Sequence, residues 1–180
     1  LMGHKHFMHK EIYEQKTIIQ DMTSRFVGKN KILPNIFGHN TDKLLENIEH
    51  IHFVACGTSY HASLVAKDWI EQFTKITCTA EVASEYKYKK INVLPKTLFV
   101  SISQSGETAD TISSLKKALK LRYTNTLAIC NVAESTLTRL SSMNFLMNAG
   151  PEISVASTKA FTSQLFTLLL LTVILSRKYG

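Results

Sequence analysis

Apolar and β-branched residues gather in short runs at 51–55, 76–82, 97–102, 126–131 and 143–147, and between the runs apolar positions recur at helical spacing. The runs predict strands. Before the first of them, Ile12, Ile18, Ile19, Met22 and Phe26 stand among charges and predict an amphipathic helix outside the main sheet. A loop with Pro34, Gly38 and Asn40 follows, then Thr41 as an expected N-cap, Asp42 in the first turn, and a short helix through Ile48. Further helices are expected at 59–73 (Leu64, Val65, Trp69), 83–86, 108–121 (Ile112, Leu115, Ala118, Leu119), 135–140 and 158–176. Such alternation predicts an α/β sandwich of three layers, a parallel sheet with helices on both faces.

The junctions between strands and helices carry the chemistry. Ser103-Gln104-Ser105-Gly106-Glu107-Thr108 joins the third run to its helix. The first amides of a helix lack intrahelical partners and point at whatever lies above the turn, so an anion is expected there. Ser103, Gln104, Ser105 and Thr108 add neutral donors, and Gly106 permits a tight turn that approaches a ligand. The turn has no Lys or Arg, and the chain has no G-x-x-x-x-G-K-[ST] segment, which speaks for a single phosphate monoester rather than a nucleoside triphosphate. Taken alone, Ser103 and Ser105 could merely cap a helix. Repetition favours a ligand. Cys56-Gly57-Thr58-Ser59 follows the first run, and Ser154-Val155-Ala156-Ser157-Thr158 opens the last helix. If the strands are parallel, their carboxyl ends share one edge and the three donor-rich corners face one crevice.

The chain has 180 residues, enough for one full core. Hydrophobic residues make up 44% and charged residues 19%, as in globular proteins rather than disordered ones. The net charge of +7 is scattered apart from Lys87, Lys89 and Lys90, and no nucleic-acid-binding pattern accompanies it. A solvated basic face that draws in an anionic substrate is expected instead. Cys56, Cys78 and Cys130 read as buried, reduced thiols of a cytoplasmic protein, with no signature making Cys56 a nucleophile. His4, His6 and His9 have no Cys or carboxylate to complete a metal set, so no metal and no cofactor are expected. The run 165–175 is interrupted by Thr167 and Thr172 and is shorter than the ~20 residues of a spanning helix, so it is expected in the core or an interface. Leu1-Met2-Gly3 is set aside from fold reasoning as a leader left by cloning.

Several longer segments together resemble the first of the two sugar isomerase (SIS) domains of glutamine–fructose-6-phosphate aminotransferases. They are Met8 to Gln15 (MHKEIYEQ), Ala55 to Tyr60 (ACGTSY), Ser101 to Thr111 (SISQSGETADT), Ala128 to Val132 (AICNV) and Asn148 to Thr162 (NAGPEISVASTKAFT). The resemblance covers nearly the whole chain; the SQSGET segment alone would indicate only some SIS protein. It implies a five-stranded parallel sheet of flavodoxin type over 41–180, a helical arm and linker over 1–40, and a hexose 6-phosphate site at the strand ends. By the same resemblance Ser103, Gln104, Ser105 and Thr108 hold the phosphate. Thr58 reaches the sugar, and Cys56, Gly57, Ser59, Val155 and Ser157 line the remainder.

The resemblance also implies what belongs elsewhere. The family's glutaminase domain, and the second SIS domain with its Schiff-base lysine, proton-shuttling carboxylate and ring-opening histidine, have no counterpart in this sequence. The chain is therefore expected to be an inactive fragment with binding residues and no catalytic ones, from a homodimeric parent that takes fructose 6-phosphate, glucosamine 6-phosphate or glucose 6-phosphate. Glu107 is expected to complement a helix dipole, and Lys159 to pair with it or face solvent. A phosphosugar-sensing module of a regulator and a stand-alone phosphosugar isomerase are the competing functions; neither a nucleic acid nor a membrane is an expected partner.

Overall fold

A computed structural model describes residues 3–180; Leu1 and Met2 of the leading tripeptide lie outside the described residues. The five strands are β1 (His50–Ala55), β2 (Thr77–Val82), β3 (Thr97–Ser103), β4 (Asn125–Cys130) and β5 (Met143–Leu146). All pair in parallel, in the order β2-β1-β3-β4-β5. The helices are α1 (Phe7–Phe26), α2 (Thr41–Leu44), α3 (Gly57–Phe73), α4 (Ala83–Tyr86), α5 (Ala109–Ala118), α6 (Thr136–Leu140) and α7 (Lys159–Tyr179).

Alternation along the strands divides the core in two. Ile51, Phe53, Ala55, Val100, Ile102 and Ile129 face α1, α3 and α7, while Val54, Phe99, Ala128 and Cys130 face α4, α5 and α6. Both faces of the central strands are covered, which is why β3 is buried at every position.

Local expectations need correction at several points. Thr41 is not an N-cap: Asn40, in the left-handed region, precedes the helix, and the Thr41 hydroxyl turns back to donate to Gly38 O (2.6 Å). The helix it opens ends at Leu44 rather than Ile48. In α3 the buried side consists of Ser59, Ala62, Ser63, Ala66 and Ile70, whereas Leu64 is exposed and Val65 and Trp69 are half-buried. Small residues there let α7 approach closely, which a helix face of large side chains would prevent. Leu119 is likewise exposed.

At 21 residues, α7 is long and apolar enough to cross a membrane by length and composition, so shortness excludes nothing. Its buried residues, Leu168, Leu171 and Leu175 among them, lie in the core. The hydroxyls of Ser163, Thr167 and Thr172 donate to the carbonyls four residues back (2.7, 2.8 and 2.8 Å), so the polar positions that interrupt the apolar run are satisfied inside the helix.

On the other face, the β1–β2 edge has no full helix over it. The one-turn α4, the segment after it and Tyr123 cover the polar residues there, and His50, His52, Thr77, Thr79 and Glu81 line a 280 Å³ cavity. His52 is 9% exposed; its Nε2 meets Glu81 Oε1 at 3.1 Å and its Nδ1 meets the Tyr123 hydroxyl at 2.7 Å. Burial holds the imidazole below its ordinary pKa, and the Glu81 carboxylate offsets only part of this. The unfolded chain therefore binds the His52 proton more readily than the folded one. We expect a stability contribution that is complete above about pH 6.5 and is lost as pH falls below it. Urea midpoints measured between pH 7.5 and 5.5 should fall more steeply for the wild type than for His52→Gln.

Candidate functional site

Strand order reverses between β1 and β3, because the chain leaves β1 toward β2 on one side and returns to β3 on the other. Open α/β sheets bind ligands in the crevice that such a reversal leaves at the strands' carboxyl ends. Ala55 pairs with Ile102 at the end of both strands, so the 56–59 and 103–108 corners are neighbours.

The first corner begins at Cys56, which is half-buried and not the buried thiol expected; Cys78 and Cys130 are buried. Burial pushes both of those thiols up to about 12, far from the thiolate range. Gly57 has φ +57° in open space, so backbone conformation alone calls for glycine there. Thr58 is exposed and Ser59 buried. The Ser59 hydroxyl oxygen accepts from Gln164 Nε2 (2.9 Å), which leaves its own proton free to be donated. Gln164 is itself buried, and no spacing pattern in the sequence pointed to it.

In the second corner Ser103 Oγ accepts from Gly106 N–H (3.1 Å) and bonds Thr108 Oγ1 (2.9 Å). Ser105 Oγ accepts from Glu107 N–H (3.1 Å). These bonds brace the turn itself. They are not caps of α5, whose N-cap residue Thr108 makes no capping bond. Gln104 is half-buried, and its carbonyl accepts from Asn131 N–H (3.0 Å), which ties the turn to the end of β4.

Gly106 does not owe its identity to a ligand. It has φ +69° and is buried against Ser135 and Cys130, where an added methyl would overlap the Ser135 side chain. Glu107 lies just before α5 and does not complement its dipole as expected. Its carboxylate accepts from Thr136 N–H (2.6 Å) at the start of α6.

The third corner holds two of the expected residues. Val155 is wholly exposed, and Ser157 Oγ donates to Glu152 (3.3 Å). Glu152 Oε1 also accepts the Thr158 and Ala160 amides (2.8 and 3.2 Å), so an internal carboxylate occupies the N-terminus of α7. Asn131 links this segment to β4 by accepting from Ala149 N–H and donating to Gly150 O, both at 2.7 Å. Lys159 neither faces solvent nor pairs with Glu107: it is buried at 5% exposure and bonded to Glu14 (2.8 Å). That ammonium holds Glu14 below the usual carboxylate range.

A 380 Å³ cavity is lined by α1, the 148–153 segment and Lys159, without any residue of the first two corners. The basic face is partly spent, since Lys87 pairs with Asp110 in the first turn of α5 and Lys89 pairs with Glu81 (both 2.6 Å). No group of three or more metal-ligating side chains occurs among the described residues.

At the switch point, then, α3 and α5 both begin without a side-chain cap, side by side. The α6 and α7 termini are filled by Ser135, Glu107 and Glu152. Free amides and neutral hydroxyls meet at the crevice, an arrangement suited to an anion with a polar body. The strand order and the helices on both faces define a doubly wound α/β domain.

The chain belongs to the SIS domain family, which matches residues 44–174. A glutamine–fructose-6-phosphate aminotransferase (isomerizing) from Pseudomonas aeruginosa is 52% identical over 169 residues, 94% of this chain and 28% of the relative. The chain thus spans under a third of that relative's length. The C-terminal domain of a glucosamine-fructose-6-phosphate aminotransferase from Francisella tularensis superposes with a TM-score of 0.94 at 46% identity, covering 97% of this chain and 49% of that one. A glucosamine-6-phosphate deaminase from Thermotoga maritima superposes with a TM-score of 0.75 at 25% identity, over 96% of this chain and 49% of that one.

The geometry at Gly106 makes a direct demand. We expect Gly106→Ala to cost about 3 kcal/mol, from strain at positive φ and the overlap with Ser135. Urea denaturation of the two proteins checks it, and a loss below 1 kcal/mol would mean that the turn relaxes freely.

Proposed function

We propose that this chain is the first sugar isomerase module of a glutamine–fructose-6-phosphate aminotransferase, and that it binds a hexose 6-phosphate at the β1/β3 switch point. In this reading the phosphate sits over the 103–108 turn, held by Ser103, Gln104, Ser105 and Thr108 and by the first amides of α5. Thr58 reaches the sugar, and Cys56, Gly57, Ser59, Val155 and Ser157 line the remainder. The ligand is fructose 6-phosphate, glucosamine 6-phosphate or glucose 6-phosphate. One observation carries the reading: two uncapped helix N-termini and a hydroxyl-rich turn lie side by side where the strand order reverses.

Neutral donors suit this ligand. The dianion is met by amide dipoles and hydroxyls, and the sugar hydroxyls find partners of their own kind along the first and third corners. In this reading the three corners bind and orient the ligand, and the chemistry of amino transfer and isomerisation is assigned to segments outside this chain. We divide the chain into a helical arm and linker at 1–40 and the binding domain at 41–180. The parent is read as a cytoplasmic homodimer, in which exposed Leu64, Phe73 and Leu169 on the packed helices α3 and α7 offer apolar surface to a second subunit.

Calorimetric titration with fructose 6-phosphate tests the site. The double variant Ser105→Ala, Thr108→Ala should bind at least about tenfold more weakly than the wild type, since hydrogen bonds to a charged group contribute roughly 1.5–3 kcal/mol each. Equal affinities would remove the phosphate assignment. Supplied with ammonia and fructose 6-phosphate, the chain alone should form no glucosamine 6-phosphate in a coupled assay; turnover would place catalytic groups within it.

A further inference from the structure

The K-E-I-Y-E-Q segment of α1 lies far in sequence from every corner of the site, and the site reading gives it no part. Its polar residues nevertheless converge on one place. Glu11, Glu14 and Gln15 are spaced to share one face of α1, and all three reach the segment that carries Val155 and Ser157, or the first turn of α7 behind it. Glu11 Oε1 accepts from Ile153 N–H (2.7 Å) and Ser154 N–H (3.3 Å), and its Oε2 accepts from the Ser154 hydroxyl. Glu14 binds the Lys159 ammonium, and Gln15 accepts from the Thr162 hydroxyl.

Glu11 is the buried member of this set, at 2% exposure. Burial pushes its carboxyl up, but the bonds from the Ser154 hydroxyl and the Ile153 and Ser154 amides outweigh that and hold it below the usual carboxylate range. Two main-chain amides of an irregular segment thus end on one buried charge. Glu152 ties the 157–160 end of this stretch, so the Glu11 bonds at Ile153 and Ser154 fix its other end, where Val155, wholly exposed, contributes no packing.

We propose that Glu11 is a positioning residue, whose carboxylate fixes the 152–158 segment so that Val155 and Ser157 are presented to the sugar. The proposal rests on the hexose 6-phosphate reading, and it separates two parts of recognition. The 103–108 turn, braced by its own hydroxyls, takes the phosphate without help from α1. The third corner takes the sugar only while α1 holds it.

Two measurements on the full chain test this with Glu11→Gln, which keeps the side chain's shape, and Glu11→Ala. In amide hydrogen exchange, Ile153 and Ser154 should exchange about tenfold faster in Glu11→Gln, with 103–108 unchanged, as expected for loss of a charge-assisted bond. Unchanged protection at both amides in the folded variant would overturn the proposal. In titration, affinity for fructose 6-phosphate should fall about tenfold while affinity for inorganic phosphate stays within about twofold. Equal weakening toward both probes would mean general loosening and would also overturn it. Should the wild type bind neither probe, the site reading fails and the sugar half of this proposal with it; the exchange result still decides whether Glu11 holds the segment.

Discussion

The parallel pairing of β1 with β3 is the constraint on which the rest of the molecule depends. It forces the chain to cross first to one side of the sheet and then to the other, so that α3 and α5 start side by side and diverge onto opposite faces. A helix start is an electropositive place with unfilled donors, and two of them together would repel unless something negative lies between or above. Neither is capped by a side chain. Asp110, in the first turn of α5 and paired with Lys87, meets part of this demand, and the rest falls at the edge where the topology leaves a crevice.

At the starts of α6 and α7, and at the 153–154 amides, the same demand is met from within. Glu152 folds back onto the α7 terminus, Glu107 onto α6, and Glu11 onto the 153–154 amides. Each carboxylate gains its bonds from main-chain amides, a strong arrangement because the donors are fixed by the backbone and the acceptor is charged. The contrast between filled and unfilled termini says more about function than the number of hydroxyls does. Serine and threonine at a helix start are common, and in the 103–108 turn Ser103 and Ser105 spend their oxygens on the turn's own amides. A braced turn loses little freedom when a ligand arrives, which favours binding by preorganisation.

Strands, layers and the first two corners could be read from the sequence because their signals are local. A β-branched run followed by Gly and Ser, and then by helical spacing, occupies a dozen residues. What the sequence hid lies in pairs far apart along the chain. Gln164 reaches Ser59 across 105 positions, Glu11 reaches Ile153 across 142, and Lys159 reaches Glu14 across 145. No window along the chain holds both members of such a pair. Lys159 is the clearest case: a lysine beside a predicted helix start reads as solvated, and only the docking of α1 gives it a partner that permits burial. The face of α3 misled for a different reason, since hydrophobic periodicity marks large side chains, and a close helix contact is made by small ones. Gly106 illustrates a third kind of error. Its positive φ was foreseeable, but the neighbour that forbids a side chain is Ser135, on another element.

These points bear on how a fold with a general site acquires a particular specificity. The β1/β3 switch point follows from topology and would serve any small anion. In the proposed site, discrimination among phosphorylated sugars would come from what surrounds the phosphate, and that surround is irregular chain: the 56–59 corner and the 152–158 segment. Irregular chain discriminates only if it is held still, because a mobile donor adapts to every hydroxyl pattern and pays the ordering entropy each time. The Ser59–Gln164 bond fixes one of these pieces through α7, and the Glu11 carboxylate fixes the other through α1. Both supports come from helices on the same face of the sheet, so in the proposed reading α1 would act on the site through the orientation of a single loop.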